Sequence, residues 1–119
     1  MDFDASLLAE LQSALPAEDL HALLTDYLES TAARMAKVET LAATSNWKDL
    51  GFEAHTLVST SGSYGLSRAS ALARSLQQAC KASDADQAPA LVAELVASTN
   101  RGCEALRSHY LGERAAVAA

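Results

Sequence analysis

The chain is poor in residues that interrupt helices: its 119 positions hold five glycines and two prolines, too few to punctuate a many-stranded fold. Aromatic residues make up only 5%, which leaves alanine and leucine to fill the interior and favours packed helices over sheet. Basic residues are outnumbered nine to fifteen, and the net charge of −6 argues against a surface built for nucleic-acid phosphates. No apolar run approaches the roughly 20 residues needed to cross a bilayer, so no membrane span is expected. The acidic opening Met1-Asp2-Phe3-Asp4 lacks the basic start and apolar stretch of an export signal, which points to a cytoplasmic protein. Cys80 falls in phase with Leu72 and Leu76, and Cys103 with Leu95 and Leu106. Both read as small buried thiols, because a disulfide or metal site would want closer-set cysteines or a histidine pair.

What remains is a chain long enough for one core, expected as a single domain over residues 1–119. Apolar periodicity predicts a short helix over 4–14, capped by Asp4 or Ser6, with Leu7, Leu8 and Leu11 inward. Pro16 then opens a long helix over 17–43, whose inward residues run from Leu20, Leu24 and Tyr27 to Met35, Val38 and Leu41. Thr44-Ser45-Asn46 caps a third helix over 47–63, and the glycines at 62 and 65 turn it into a fourth over 66–81. Ser83-Asp84-Ala85-Asp86 leads to a last helix over 88–112, with an alanine-rich, frayed tail after Glu113. Four long helices with short connections predict an all-α, antiparallel up-down-up-down four-helix bundle, its short first helix covering one end.

The central stretch Phe52 to Gly65 organises the rest. Its helix turns about 100° per residue, so Trp47, Leu50, Ala54, Leu57, Val58 and Ser61 share the packed face. His55 falls well outside that face, on an outer stripe with Lys48, Phe52, Ser59 and Gly62. A large aromatic one turn from an exposed imidazole calls for a partner that covers both.

The run Ala54-His55-Thr56-Leu57, followed by Ser61-Gly62, Gly65 and Leu72, resembles the histidine phosphotransfer (HPt) domain of bacterial phosphorelays. Leu24, Tyr27 and Leu28 look like that family's apolar positions in the second helix, Asn46-Trp47 like the pair that opens the histidine helix, and Leu72, Leu76 and Gln77 like the helix that follows. The resemblance spans roughly the whole chain, with the central stretch carrying its specificity. It implies a phosphocarrier in two-component signalling, with Nε2 of His55 accepting the phosphoryl group. The implied partners are a response-regulator receiver domain, which brings the metal and the aspartate, and a hybrid sensor histidine kinase. There is no glycine-rich ATP loop and no carboxylate cluster for magnesium, so self-phosphorylation, a cofactor and a bound metal are not expected. Nothing calls for more than a monomer.

Two positions depart from the family pattern. Val58 stands where lysine usually helps hold the phosphoryl oxygens, and Ser59 where glycine usually leaves room for the incoming domain. Lys48 and Ser59 are the candidate replacements, with Arg74 mostly outward; singly, each reads as a solvated surface group. The alternative is a degenerate HPt-like binding module, an adaptor or inhibitor that docks on a receiver or kinase without phosphotransfer. His21 and His109 read as incidental surface or cap histidines.

Overall fold

A computed structural model describes the backbone of residues 1–118 and the side chains through Tyr110. It contains α1 (Ala5–Ala14), α2 (Ala17–Ala43), α3 (Trp47–Ser63), α4 (Ser67–Lys81) and α5 (Gln87–Ala118), with no strand among the described residues. The first four helices lie within a residue of the bounds expected from periodicity. The last continues past Gly112, where the sequence reading ends it. The side chains of the tail expected to fray after Glu113 lie outside the described residues.

Each boundary has a local cause. Asp4 caps α1 by accepting from the Ser6 amide at 3.0 Å, and Asn46 caps α3 by accepting from the Asp49 amide at 3.3 Å. Three helices end in the same way, with one left-handed residue that lets the next amide reach back to a stranded carbonyl. Ser45 (φ 55°) turns so that the Asn46 amide donates to Leu41 O at 2.9 Å. Gly65 (φ 86°) does so for Leu66 onto Ser61 O, and Ser83 (φ 51°) for Asp84 onto Ala79 O. At Gly65 a side chain is excluded twice, by its φ and by the Asp4 carbonyl, which would lie 2.6 Å from a Cβ.

That contact belongs to an N-terminal segment laid across the α3–α4 turn. The Asp4 amide donates to Gly65 O at 2.7 Å, and the Met1 carbonyl accepts from the Arg68 amide at 3.0 Å, satisfying a donor that the uncapped start of α4 leaves open. Asp2 reaches α5, where it accepts from Ser98 Oγ at 2.7 Å and Arg101 Nε at 2.8 Å. These bonds hold the Asp2 carboxyl down at about 2.

α2 packs on α3 and α5, α4 packs on α3 and α5, and α1 rests on α2. The core between them is aliphatic: Leu24, Val38, Leu50, Leu57, Leu76, Leu95 and Leu106 are almost wholly buried. Tyr110 and Tyr27 add larger side chains, and Tyr27 is stacked on Tyr64 with ring centroids 4.0 Å apart. In Tyr27, burial pushes the hydroxyl up to about 12, so it remains a neutral phenol at any physiological pH.

The α3–α4 seam is built differently, from small residues. Ala54 and Ser61 of α3 and Ala69, Ala73 and Ala79 of α4 are buried, and a Cβ on Gly51 would sit 3.2 Å from Cys80 Cβ. The two backbones can therefore approach closely. Contacts from Gly51 to Cys80, His55 to Gln77 and Gly62 to Ser70 descend along α4 as they ascend α3, so these two helices run in opposite directions. Ser70 Oγ locks the seam by donating to Val58 O at 2.7 Å.

Candidate functional site

α3 owes its orientation to its buried face. Leu50, Ala54, Leu57 and Ser61 are buried at helical spacing, which turns His55 and Phe52 out to solvent. Phe52 keeps 71% of its surface exposed, the largest aromatic area so left among the described residues. The close α3–α4 seam then opens at its outer edge into a groove of about 490 Å³. Trp47, Lys48, Gly51, Phe52 and His55 form one wall; Gln77, Cys80 and Lys81 form the other.

Not all of the predicted stripe enters the groove. Lys48, Phe52 and His55 line it, whereas Ser59 and Gly62 lie farther along α3, outside its lining. Ser59 is exposed, and Gly62 is half-buried, with Ser70 Oγ 3.5 Å from where a Cβ would be. Val58 is half-buried against the core, and Arg74 is exposed and also outside the groove lining.

Gln77 meets the imidazole directly. Its Nε2 lies 3.1 Å from His55 Nδ1, so that ring nitrogen is engaged by α4. The sequence places Gln77 on the flank of α4 and level with His55. Only the narrow seam brings the two into contact.

The groove is cationic in a chain that is acidic overall. Arg34, Lys37, Arg101 and Arg107 are held in ion pairs elsewhere, while Lys48, Arg74 and Lys81 make none among the described residues. Lys48 and Lys81 both lie in the groove, and no carboxylate lines it. Lys81, which sequence reasoning missed, stands four residues after Gln77 and hence one turn along the same side of α4. Cys80 is buried at the groove floor, and that burial raises its thiol, which keeps it protonated and unreactive.

A second missed residue supports the site from beneath. Glu53 follows Phe52 but points inward, its side chain only 8% exposed, and is paired with Arg34 Nη1 and Lys37 Nζ of α2 at 2.9 Å each. Its phase gives the signal. Glu53 stands three residues after Leu50 and four before Leu57, in register with the core, and Arg34 and Lys37 sit three apart on α2. The pairs tie α3 to α2 and fix the rotation that exposes its neighbours.

The other histidines sit elsewhere. His21 Nδ1 lies 3.3 Å from the Tyr110 hydroxyl, and His109 stands with its ring centroid 6.0 Å from that of Phe3. No group of three or more His, Cys, Asp or Glu side chains among the described residues is placed to hold a metal. No helix among them is long and apolar enough to cross a membrane.

The described residues thus form an all-helical bundle that exposes the His55 imidazole beside an exposed aromatic ring and two lysines that make no ion pair among them. The Hpt domain family model matches residues 22–109, most of the chain and all of the groove, and the chain belongs to that family. No curated protein and no solved structure gave a match. Membership in the Hpt family connects the protein to phosphotransfer in two-component signalling.

Proposed function

We propose that this chain relays a phosphoryl group between aspartates of response-regulator receiver domains, with His55 Nε2 as the carrier atom. The observation that carries the reading is the exposed His55 ring, engaged through Nδ1 by Gln77 and set in a carboxylate-free groove with Lys48 and Lys81. A neutral imidazole on a stiff helix is a sufficient nucleophile, and alignment rather than acid-base chemistry is what the fold supplies. The phosphoryl group adds close to two negative charges, which two unpaired ammonium groups would offset. In the family pattern a cation stands one turn beyond the histidine. Here Val58 occupies that place, and the cations stand on the opposite side of the ring.

Phe52, Lys48 and the outer edge of α3 through Ser59 and Gly62 form the docking surface in this reading. The partner is a receiver domain, free or within a hybrid sensor histidine kinase, whose acidic phosphorylation site complements the lysines. The protein acts as a cytoplasmic monomer and a single domain over residues 1–119, with α2 to α5 as an up-down-up-down antiparallel bundle capped by α1. A radiolabelled receiver phosphate should pass to the protein within minutes at equal concentrations, as an acid-labile phosphohistidine absent from His55→Gln. Label that stays on the receiver, or reaches the variant equally, would refute the relay.

Val58 and Ser59 favour a second reading, a binding module that docks on a receiver or kinase and carries no phosphate. Such a module would bind through Phe52 with wild-type affinity in His55→Gln and acquire no label from any receiver.

A further inference from the structure

A serine or threonine in a helix can always satisfy its hydroxyl locally, by donating to the carbonyl four residues back. Ser13, Ser30, Thr40, Thr56, Thr60 and Ser63 do so here. Ser61 of α3 and Thr99 of α5 do not. Both are at most 1% exposed, and neither hydroxyl has a hydrogen-bond partner among the described residues. The hydroxyl of Tyr27 on α2 is also buried and also has none. A buried hydroxyl left unbonded is costly, and two of these three side chains forgo a bond that lies within reach of their own helix.

The three hydroxyls belong to one region. Burial drives the rise of the Tyr27 phenol, and Cys103 of α5 adds to it; Thr31 of the same helix and Ser61 across the interface oppose it. These groups therefore surround the phenol oxygen, although none meets it in bonding geometry. Thr99 stands four residues before Cys103, one turn along the same side of α5. Hydroxyls of α2, α3 and α5 are thus gathered on the packed side of α3. We propose that they form a binding site for one internal water molecule, held by Tyr27 Oη, Ser61 Oγ and Thr99 Oγ1.

Water is the ligand that the chemistry selects. A buried water typically makes about three hydrogen bonds, and each of these hydroxyls can either donate to it or accept from it. The groups acting on the Tyr27 hydroxyl, namely Thr31, Ser61, Cys103 and Tyr64, are all uncharged, so an ion would find no counter-charge there. Leu57 and Leu95, one turn before Ser61 and Thr99, are almost wholly buried, so the hydroxyls lie within aliphatic packing rather than at a surface. The water joins three helices at one point, and the site stands whether or not His55 carries phosphate.

The test is oxygen-17 magnetic relaxation dispersion of water in solutions of the full chain. It counts internal water molecules held longer than the protein takes to tumble, and exchanging hydroxyl protons do not disturb it. The reference is the triple variant Tyr27→Phe, Ser61→Ala, Thr99→Val, which removes the three oxygens and keeps the apolar outline. The native dispersion should exceed that of the folded variant by the amplitude of one water. Equal amplitudes would overturn the proposal, and would mean that the hydroxyls turn to bond one another or the carbonyls of their own helices. The native chain gives a second reading, which decides alone if circular dichroism shows the variant unfolded. Nuclear Overhauser transfer from water to the Thr99 methyl protons should be seen, and its absence would equally overturn the site.

Discussion

Phe52→Ala separates docking from folding more sharply than any other change at this site. The ring leaves 71% of its surface in water, so its removal uncovers little of the core, and folding free energy should change by less than about 0.5 kcal/mol. In a complex the same ring would be covered. Full burial of a phenylalanine side chain contributes about 1.5–3 kcal/mol, and roughly two thirds of that remains available here, about 1–2 kcal/mol. The dissociation constant for a receiver domain should then rise about 5- to 30-fold. Phe52→Leu, which keeps much of the apolar area, should lie between the two. Titration calorimetry against the receiver that loads His55 most rapidly gives the affinity, and a thermal melt of each variant gives the stability. An affinity within twofold of the native one would remove Phe52 from the interface. A fall in melting temperature beyond about 4 °C would show instead that the ring supports the fold.

Three further outcomes follow from the charges. Replacing Lys48 and Lys81 together with alanine should slow phosphoryl transfer about tenfold at low salt, with the gap narrowing at high ionic strength, where exposed charges are screened; a gap independent of salt would rule out electrostatic action. Replacing Arg34 and Lys37 together with alanine strands the Glu53 carboxylate in the α2–α3 interface. The loss would be several kcal/mol for a fully buried pair. It should be about 1–2 kcal/mol in urea unfolding here, because the cations are 37% and 59% exposed, and a loss below 0.5 would deny the pairs a structural role. Asp2 is held at about 2 against an ordinary 3.8, so its stabilising effect is present above pH 4 and is lost as the pH falls through 2. Melting curves of Asp2→Asn should accordingly lie below those of the native protein at pH 6 and converge with them near pH 2; a constant offset would contradict the linkage.

Much of the bundle was legible because helical periodicity is a local property. Pro16, Asn46 and the left-handed turns at Ser45, Gly65 and Ser83 set the helix ends through bonds within a few residues of each other. The outward direction of His55 and Phe52 follows from the phase of Leu50, Ala54 and Leu57 alone. Glu53 shares that phase, but a carboxylate on an apolar face is unexpected until its partners on α2 are seen.

The sequence by itself determined which residues make helices, which stripe of α3 meets water, and that one imidazole stands on that stripe beside an aromatic ring. The tertiary structure decided the company that ring keeps. Gln77 and Lys81 reach the groove because alanine, serine and glycine along the seam let α3 and α4 approach, and the rotation and offset of one helix against another depend on packing distances that no periodicity within a single helix contains.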